Sequence, residues 1–186
     1  MNDYLNTYAE RAARFTDVVR HVPDHAWSHR SPCPDWTAAD VVRHVVDSQR
    51  DFLARHDLAP SPVPDAATAP AQLWAAHVEL VLAALGDGDA LDREFAGYFG
   101  PTTIGATLAD FYGFDMIVHR WDLARASGRT TEFTDTELDR LETSLEEFGE
   151  HAYAPGVFGP PVDVPPDASR QDRLLALMGR DPAAHL

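Results

Sequence analysis

Asp115 and His119 stand four residues apart within Asp110-Phe-Tyr-Gly-Phe-Asp-Met-Ile-Val-His-Arg-Trp-Asp-Leu-Ala124, a stretch that reads as the middle of a long apolar helix. On a helix this spacing stacks two side chains on one face, with Cβ atoms about 5–6 Å apart. A carboxylate and an imidazole so placed can grip one divalent metal ion if a third donor comes from elsewhere. His44 is the candidate third donor, because it falls on the inward stripe of another predicted helix. A buried carboxylate needs a compensating cation, and a divalent metal takes these deprotonated groups as ligands. The competing reading is a plain internal pairing of Asp115 with His119, or of either with Arg43 or Arg120. Asp122 shares the predicted inward stripe with Leu108 and Phe111. There it is a candidate to orient a ligand imidazole through the other ring N–H; its alternative is a surface charge near Arg125 or Arg129.

Other reactive residues offer less. His21, His25 and His29 also recur at four-residue steps, but Pro23 interrupts them. His56, His77, His151 and His185 have no partner at ligand spacing. Cys33, flanked by Pro32 and Pro34, is either a partly buried structural cysteine or a thiol at a pocket mouth. The chain has no Gly-x-Ser-x-Gly elbow, P-loop or dinucleotide fingerprint, and its glycines from Gly97 to Gly105 have no lysine beside them to meet phosphate.

The elements that must carry these residues follow from hydrophobic spacing. Leu5, Tyr8, Ala12, Phe15, Val19 and Val22 step by three and four, the stripe of a first amphipathic helix from about Asp3, ended by Pro23. Thr37-Ala-Ala-Asp40 is a capping box opening a second helix through about His56, with Val41, His44, Val45, Ser48 and Phe52 inward. Leu58 to Pro70, with four prolines, is a loop. A third helix spans about Ala71 to Leu85 with Leu73, Trp74, Leu80, Val81 and Leu85, stopped by Gly86-Asp-Gly-Asp. Ala90 to Thr103 reads as irregular, with Phe95, Tyr98 and Phe99 against the body.

The fourth helix runs from near Thr103 to Ser127, capped by Gly128, and is the longest and most apolar. Thr134 opens a fifth helix with Leu138, Leu141, Leu145, Phe148 and Ala152 on one stripe. The proline-rich segment from Ala154 to Ala168 should wrap the surface in extended form. A third capping box at Ser169 starts a short helix through Met178. The reading is one all-α domain over residues 1–186, an up-down four-helix bundle with long loops and extra C-terminal helices.

Composition bounds the partners. The chain carries 15 basic residues, all arginine, against 30 acidic ones, a formal net charge of -15. Such a surface repels polyanions, so neither nucleic acid nor an anionic membrane is an expected partner. A single cysteine excludes an internal disulfide and fits a reducing compartment. The N-terminus lacks the pattern of a signal peptide, and no apolar run approaches the about 20 residues of a membrane span. The expectation is a cytoplasmic protein.

Taken together, Ser31-Pro-Cys-Pro-Asp-Trp-Thr37 with Val41-Val-Arg-His44, and Asp115-x-x-x-His119-Arg-Trp-Asp-Leu-Ala124, resemble the two signatures of the DinB-like (YfiT-like) metal-binding bundles. The branch they resemble is typified by the N-terminal domain of mycothiol-dependent maleylpyruvate isomerase. The tail from Pro165 to Pro182 is similar to the ending of small actinobacterial members. The resemblance implies a zinc-type site held by His44, Asp115 and His119, with nickel, iron or manganese as alternatives. Asp115 departs from the family, whose members carry Glu or His there, and is one methylene shorter than Glu.

The resemblance also implies an open metal position for a low-molecular-weight thiol such as mycothiol, and pairing into a homodimer. The activity so implied is thiol S-transfer to, or isomerisation of, a small electrophile. The chain ends where the isomerase would begin a second domain, which leaves the isomerase reaction itself open. The alternative is a non-catalytic metal-binding bundle in stress response, sensing or protein association.

Overall fold

The computed structural model describes residues 3–184 apart from residues 60, 63, 64, 66, 87, 88, 99 and 155. Its framework is helical: α1 (Asp3–Arg20), α2 (Ala38–Arg55), α3 (Pro70–Leu85), α4 (Ile104–Ala126), α5 (Asp135–Phe148) and α6 (Arg170–Leu177). The expected stripe of α1 is the buried one, Leu5, Tyr8, Ala12, Phe15 and Val19. Thr37 and Asp40 close a reciprocal capping box at the start of α2, and Thr134 and Glu137 another at α5. At α6 only half of the expected box forms, with Ser169 accepting from the Asp172 N–H.

Gly128, at φ 73°, ends α4. Its N–H reaches the Arg125 carbonyl and the Arg129 N–H the Ala124 carbonyl, so a left-handed glycine satisfies the last carbonyls of the helix.

α1 packs on α4 and α3, and α2 packs on the same two helices from its own side. This core holds Phe15, Val45, Phe52, Leu53, Trp74, Leu85, Met116 and Leu123 among others. A second core lies across α4, where Phe114, Ile117, Val118 and Trp121 meet Leu141 of α5 and Leu174, Leu175 and Met178 of the C-terminal segment. With apolar partners on both sides, the second half of α4 is buried nearly all round, His119, Arg120 and Asp122 included.

Several expectations need correction. Ala90 to Thr103 contains an antiparallel hairpin, β1 (Glu94–Gly97) with β2 (Gly100–Thr103), Glu94 opposite Thr103 and Gly97 opposite Gly100. Four-residue strands are too short to leave a readable alternation. Tyr98 is 76% exposed rather than packed on the body, and the placement of Phe99 lies outside the described residues. Phe111, expected inward, is 50% exposed. The inward side of α2 is centred on Val42, Val46, Gln49 and Leu53 as well as Val41 and Val45, which leaves His44 at its edge. In α3, Leu73, Trp74, Val81 and Leu85 are buried as expected, but His77 is buried with them and Leu80 is only half-buried.

Candidate metal centre

The three residues singled out by spacing converge. His44 arrives on α2 one turn beyond its capping box; Asp115 and His119 share one face of α4. His119 Nε2 lies 3.2 Å from Asp115 Oδ1, and His44 Nε2 lies 3.6 Å from the same oxygen. One ligand atom from each of the three lies within 4.8 Å of the others. The imidazoles stand edge to face with centroids 5.0 Å apart, and Trp36 covers both, 4.6 Å from His44 and 5.8 Å from His119.

Exposure is graded across the set: the His44 side chain is 36% exposed, Asp115 23% and His119 7%. The centre therefore opens toward His44 and is closed behind His119. Arg43 and Arg120, the alternative partners for these residues, go elsewhere. Arg43 donates to the Thr68 carbonyl, and Arg120 makes a buried two-pronged contact with Glu137 at 2.7 and 3.0 Å.

Behind His119 lies a layer that sequence spacing only half revealed. Asp122, fully buried, accepts from His119 Nδ1 at 2.8 Å, as expected of an orienting carboxylate. Cys33 is drawn in beside it, with Sγ 3.2 Å from Asp122 Oδ2 and 4.0 Å from His119 Nδ1. A tight loop sets Cys33 there: the Ser31 N–H bonds the Trp36 carbonyl at 2.8 Å, and the Ser31 hydroxyl accepts from the Cys33 N–H. Arg180 completes the layer, bonding Asp122 through Nη2 at 2.9 Å and Nε at 3.3 Å. No helical or motif spacing links Arg180 to the centre, so no pattern in the sequence announced it.

The charges interlock. Burial alone would raise the Asp115 carboxyl, but His119 and His44 hold it well below the usual carboxylate range. Burial likewise opposes an ionised Asp122, and Arg180 and His119 more than reverse it. Burial pulls His119 down, yet Asp115, then the bonds to Asp122 and Cys33, carry it well above an ordinary histidine. The donor set of two imidazoles and a carboxylate suits a divalent transition metal. One observation tests that fit: Asp115 Oδ2 is buried with no hydrogen-bond partner among the described residues. A buried carboxylate oxygen left bare is costly, and a cation placed between Asp115 and the two imidazoles would satisfy it.

The other histidines do not assemble into such a set among the described residues. His21 bonds the Asp17 carbonyl, His29 lies 3.3 Å from the Ala126 carbonyl, and His25 only contacts the His29 ring. His185 lies outside the described residues.

Residues 8–124 match the family described as the mycothiol maleylpyruvate isomerase N-terminal domain. The chain belongs to that family. It is also 31% identical over 184 residues to the uncharacterized proteins Rv0738 and MT0763, from two strains of Mycobacterium tuberculosis, covering 96% of this chain and 98% of each of theirs. No solved structure matches it. The family match spans His44, Asp115, His119, Cys33 and Asp122 but stops short of Arg180. These five residues thus lie within the matched span, while Arg180 comes from the segment beyond it.

None of the described helices is long and apolar enough to cross a membrane. A cleft of about 1030 Å³ lies elsewhere, among Phe52, Phe95, Phe111, Tyr112, Arg140 and Phe148.

Proposed function

We propose that this protein binds one divalent metal ion, zinc first among the candidates, through His44, Asp115 and His119, and uses it for thiol chemistry on a small electrophile. The observation that carries the reading is the bare, buried Oδ2 of Asp115 beside two imidazoles, in a member of a family described by a mycothiol-dependent isomerase. Nickel, iron and manganese suit the same donors. When bound, such a metal lowers the pKa of a thiol at its open position and makes it a nucleophile at neutral pH.

The protein's own residues prepare that position. Asp122 accepts a hydrogen bond from His119 Nδ1, which leaves Nε2 as the nitrogen that faces His44 and Asp115 and would hold the metal. Trp36 shields both imidazoles on one side, and the exposed edge of His44 leaves the approach for a thiol such as mycothiol. The reaction class we infer is S-transfer or isomerisation.

The same reading takes α1 to α4 as an up-down four-helix bundle in one domain, α5 and α6 as additions to it, and the assembly as a homodimer. The pairwise packing of the four helices supports the first of these. The one free cysteine favours a reducing, cytoplasmic setting, and the net charge of -15 argues against nucleic acid.

Two measurements test the reading. Elemental analysis of the purified chain should find about one metal per chain, lost on His44→Ala or His119→Ala; retention in both variants rejects the ligand assignment. The metal-loaded protein should then consume mycothiol or glutathione in the presence of small electrophiles. If no electrophile is turned over and thiols leave a cobalt-loaded spectrum unchanged, the non-catalytic metal-binding bundle is the correct reading.

A further inference from the structure

His119 is shared by two donor sets. Its Nε2 faces His44 and Asp115; its Nδ1 faces Cys33 and Asp122, and each trio has ligand atoms within 4.8 Å of one another. The second trio is the more buried: Cys33, His119 and Asp122 are all buried, whereas His44 and Asp115 are half-exposed. It also contains the softer donor, a thiol, which transition metals favour. On donor chemistry alone a metal could settle on the Cys33 side, where little room remains for a substrate.

Arg180 already stands there. Its Nη2 is 2.9 Å from Asp122 Oδ2 and 3.3 Å from Cys33 Sγ, and its Nε is 3.3 Å from Asp122 Oδ1, so one guanidinium spans both residues. Its remaining Nη1 donates to the Met178 carbonyl at 2.9 Å, and the Phe158 ring lies under the guanidinium carbon at 5.9 Å.

The backbone delivers it. α6 is followed by a left-handed Gly179, φ 79°, with the Gly179 N–H on the Ala176 carbonyl and the Arg180 N–H on the Leu175 carbonyl, each at 3.0 Å. Gly179 also lies so close to Gly159 that a Cβ on it would meet the Gly159 backbone at 2.9 Å. Only glycine suits both demands, and the turn it makes throws the next side chain inward.

We propose that Arg180 is a metal-site selector: its guanidinium fills the Cys33–Asp122 side of His119 as a fixed counter-cation, and so confines the metal to the His44–Asp115 side. Two features of the one contact do this. A guanidinium cannot lose its charge, so it repels a second cation from Cys33 and Asp122. It also occupies the space beside both side chains, 2.9 Å from Asp122 Oδ2 and 3.3 Å from Cys33 Sγ. The side chain most removed in sequence thereby decides which face of His119 is used.

This selector role rests on the metal reading above for the destination of the metal, and cobalt(II) separates the two. Cobalt bound by a thiolate shows an intense near-ultraviolet sulfur-to-metal band; cobalt bound by imidazole and carboxylate shows only weak visible bands. Titrated into the metal-free full-length chain, cobalt should bind without the sulfur band. In Arg180→Ala the band should appear, saturate at one thiolate-bound cobalt per chain, and vanish again in the Arg180→Ala/Cys33→Ala double variant. Arg180→Lys, which keeps a cation, should stay silent.

A sulfur band in the wild-type chain overturns the selector role, as does a folded Arg180→Ala that shows none at saturation. Should Arg180→Ala not fold, Arg180→Gln carries the same expectation, and its silence at saturation is equally fatal. A wild-type chain that takes no cobalt counts against the metal reading, whereas binding by wild type with no gain in the variants counts against Arg180 alone.

Discussion

His119 and His77 are both buried in helices that pack on α2, and their surroundings drive them in opposite directions. His119 sits between two carboxylates, Asp115 and Asp122, with Arg180 behind them and an edge open at His44. His77 sits in a sealed neutral cluster: its Nε2 is 2.9 Å from Gln49 Oε1, which also accepts from the Tyr8 hydroxyl at 2.7 Å. Burial, with help from Arg50, lowers His77 to about 3, while the carboxylates outweigh burial at His119 and raise it.

Equal burial therefore does not make equal histidines. Without an anion the ring stays neutral and serves the core; between anions it holds a proton that a metal must displace. Sequence position gave no hint of the Tyr8–Gln49–His77 cluster, since His77 has no ligand partner at helical spacing.

The largest way to break the contrast is Asp122→Ala, which strands Arg180 as a buried unpaired cation. Urea unfolding of the metal-free chain should show a loss of about 3–5 kcal/mol, the usual cost of removing one partner of a buried ion pair. A loss within the range of ordinary surface substitutions would mean that Arg180 finds water when Asp122 is gone.

The sealed histidine is sharpened by pH. His77 has a folded pKa of about 3, below its ordinary value of 6.5, so the unfolded chain binds the proton first. Its contribution is present above about 6.5 and is lost as pH falls toward 3, at up to about 1.4 kcal/mol per pH unit. His77→Leu should flatten that part of the stability curve; a curve parallel to wild type would show that His77 is not held neutral.

At the other histidine the sign appears in metal binding. A raised His119 means that metal must expel its proton, so affinity should fall by up to about tenfold per pH unit on acidification. His77→Leu should leave that slope unchanged, which separates the two clusters in one titration series. The smallest effect is expected at the cap of the helix that carries His44. Thr37→Ala removes one side of a reciprocal capping box and should cost about 1 kcal/mol, read as a lower midpoint in urea with metal stoichiometry intact.

The parts of this fold that could be read from sequence are those with local rules. Stripes at three- and four-residue steps located the helices, Thr37 and Thr134 marked two starts, and Gly128 marked an end. His44, Asp115 and His119 were legible because two share a helix face and the third lies near an inward stripe. Phe111 and Tyr98 were misread because exposure depends on which neighbour arrives, and α5 and the hairpin leave them uncovered. Burial of Cys33 was legible between its two prolines, but the meeting of Cys33 and Arg180 was hidden for the same reason. Their place beside Asp122 is set by a proline-flanked loop and by a glycine turn after α6, neither of which has a periodicity pointing at α4.

The metal assignment is tested most directly by X-ray absorption at the metal edge of the zinc-loaded, full-length chain in thiol-free buffer. The expected nearest neighbours are nitrogen and oxygen donors at about 2.0–2.2 Å, with more distant scattering from two imidazoles and no sulfur. Sulfur at about 2.3 Å, or a chain that retains no zinc, would contradict the assignment.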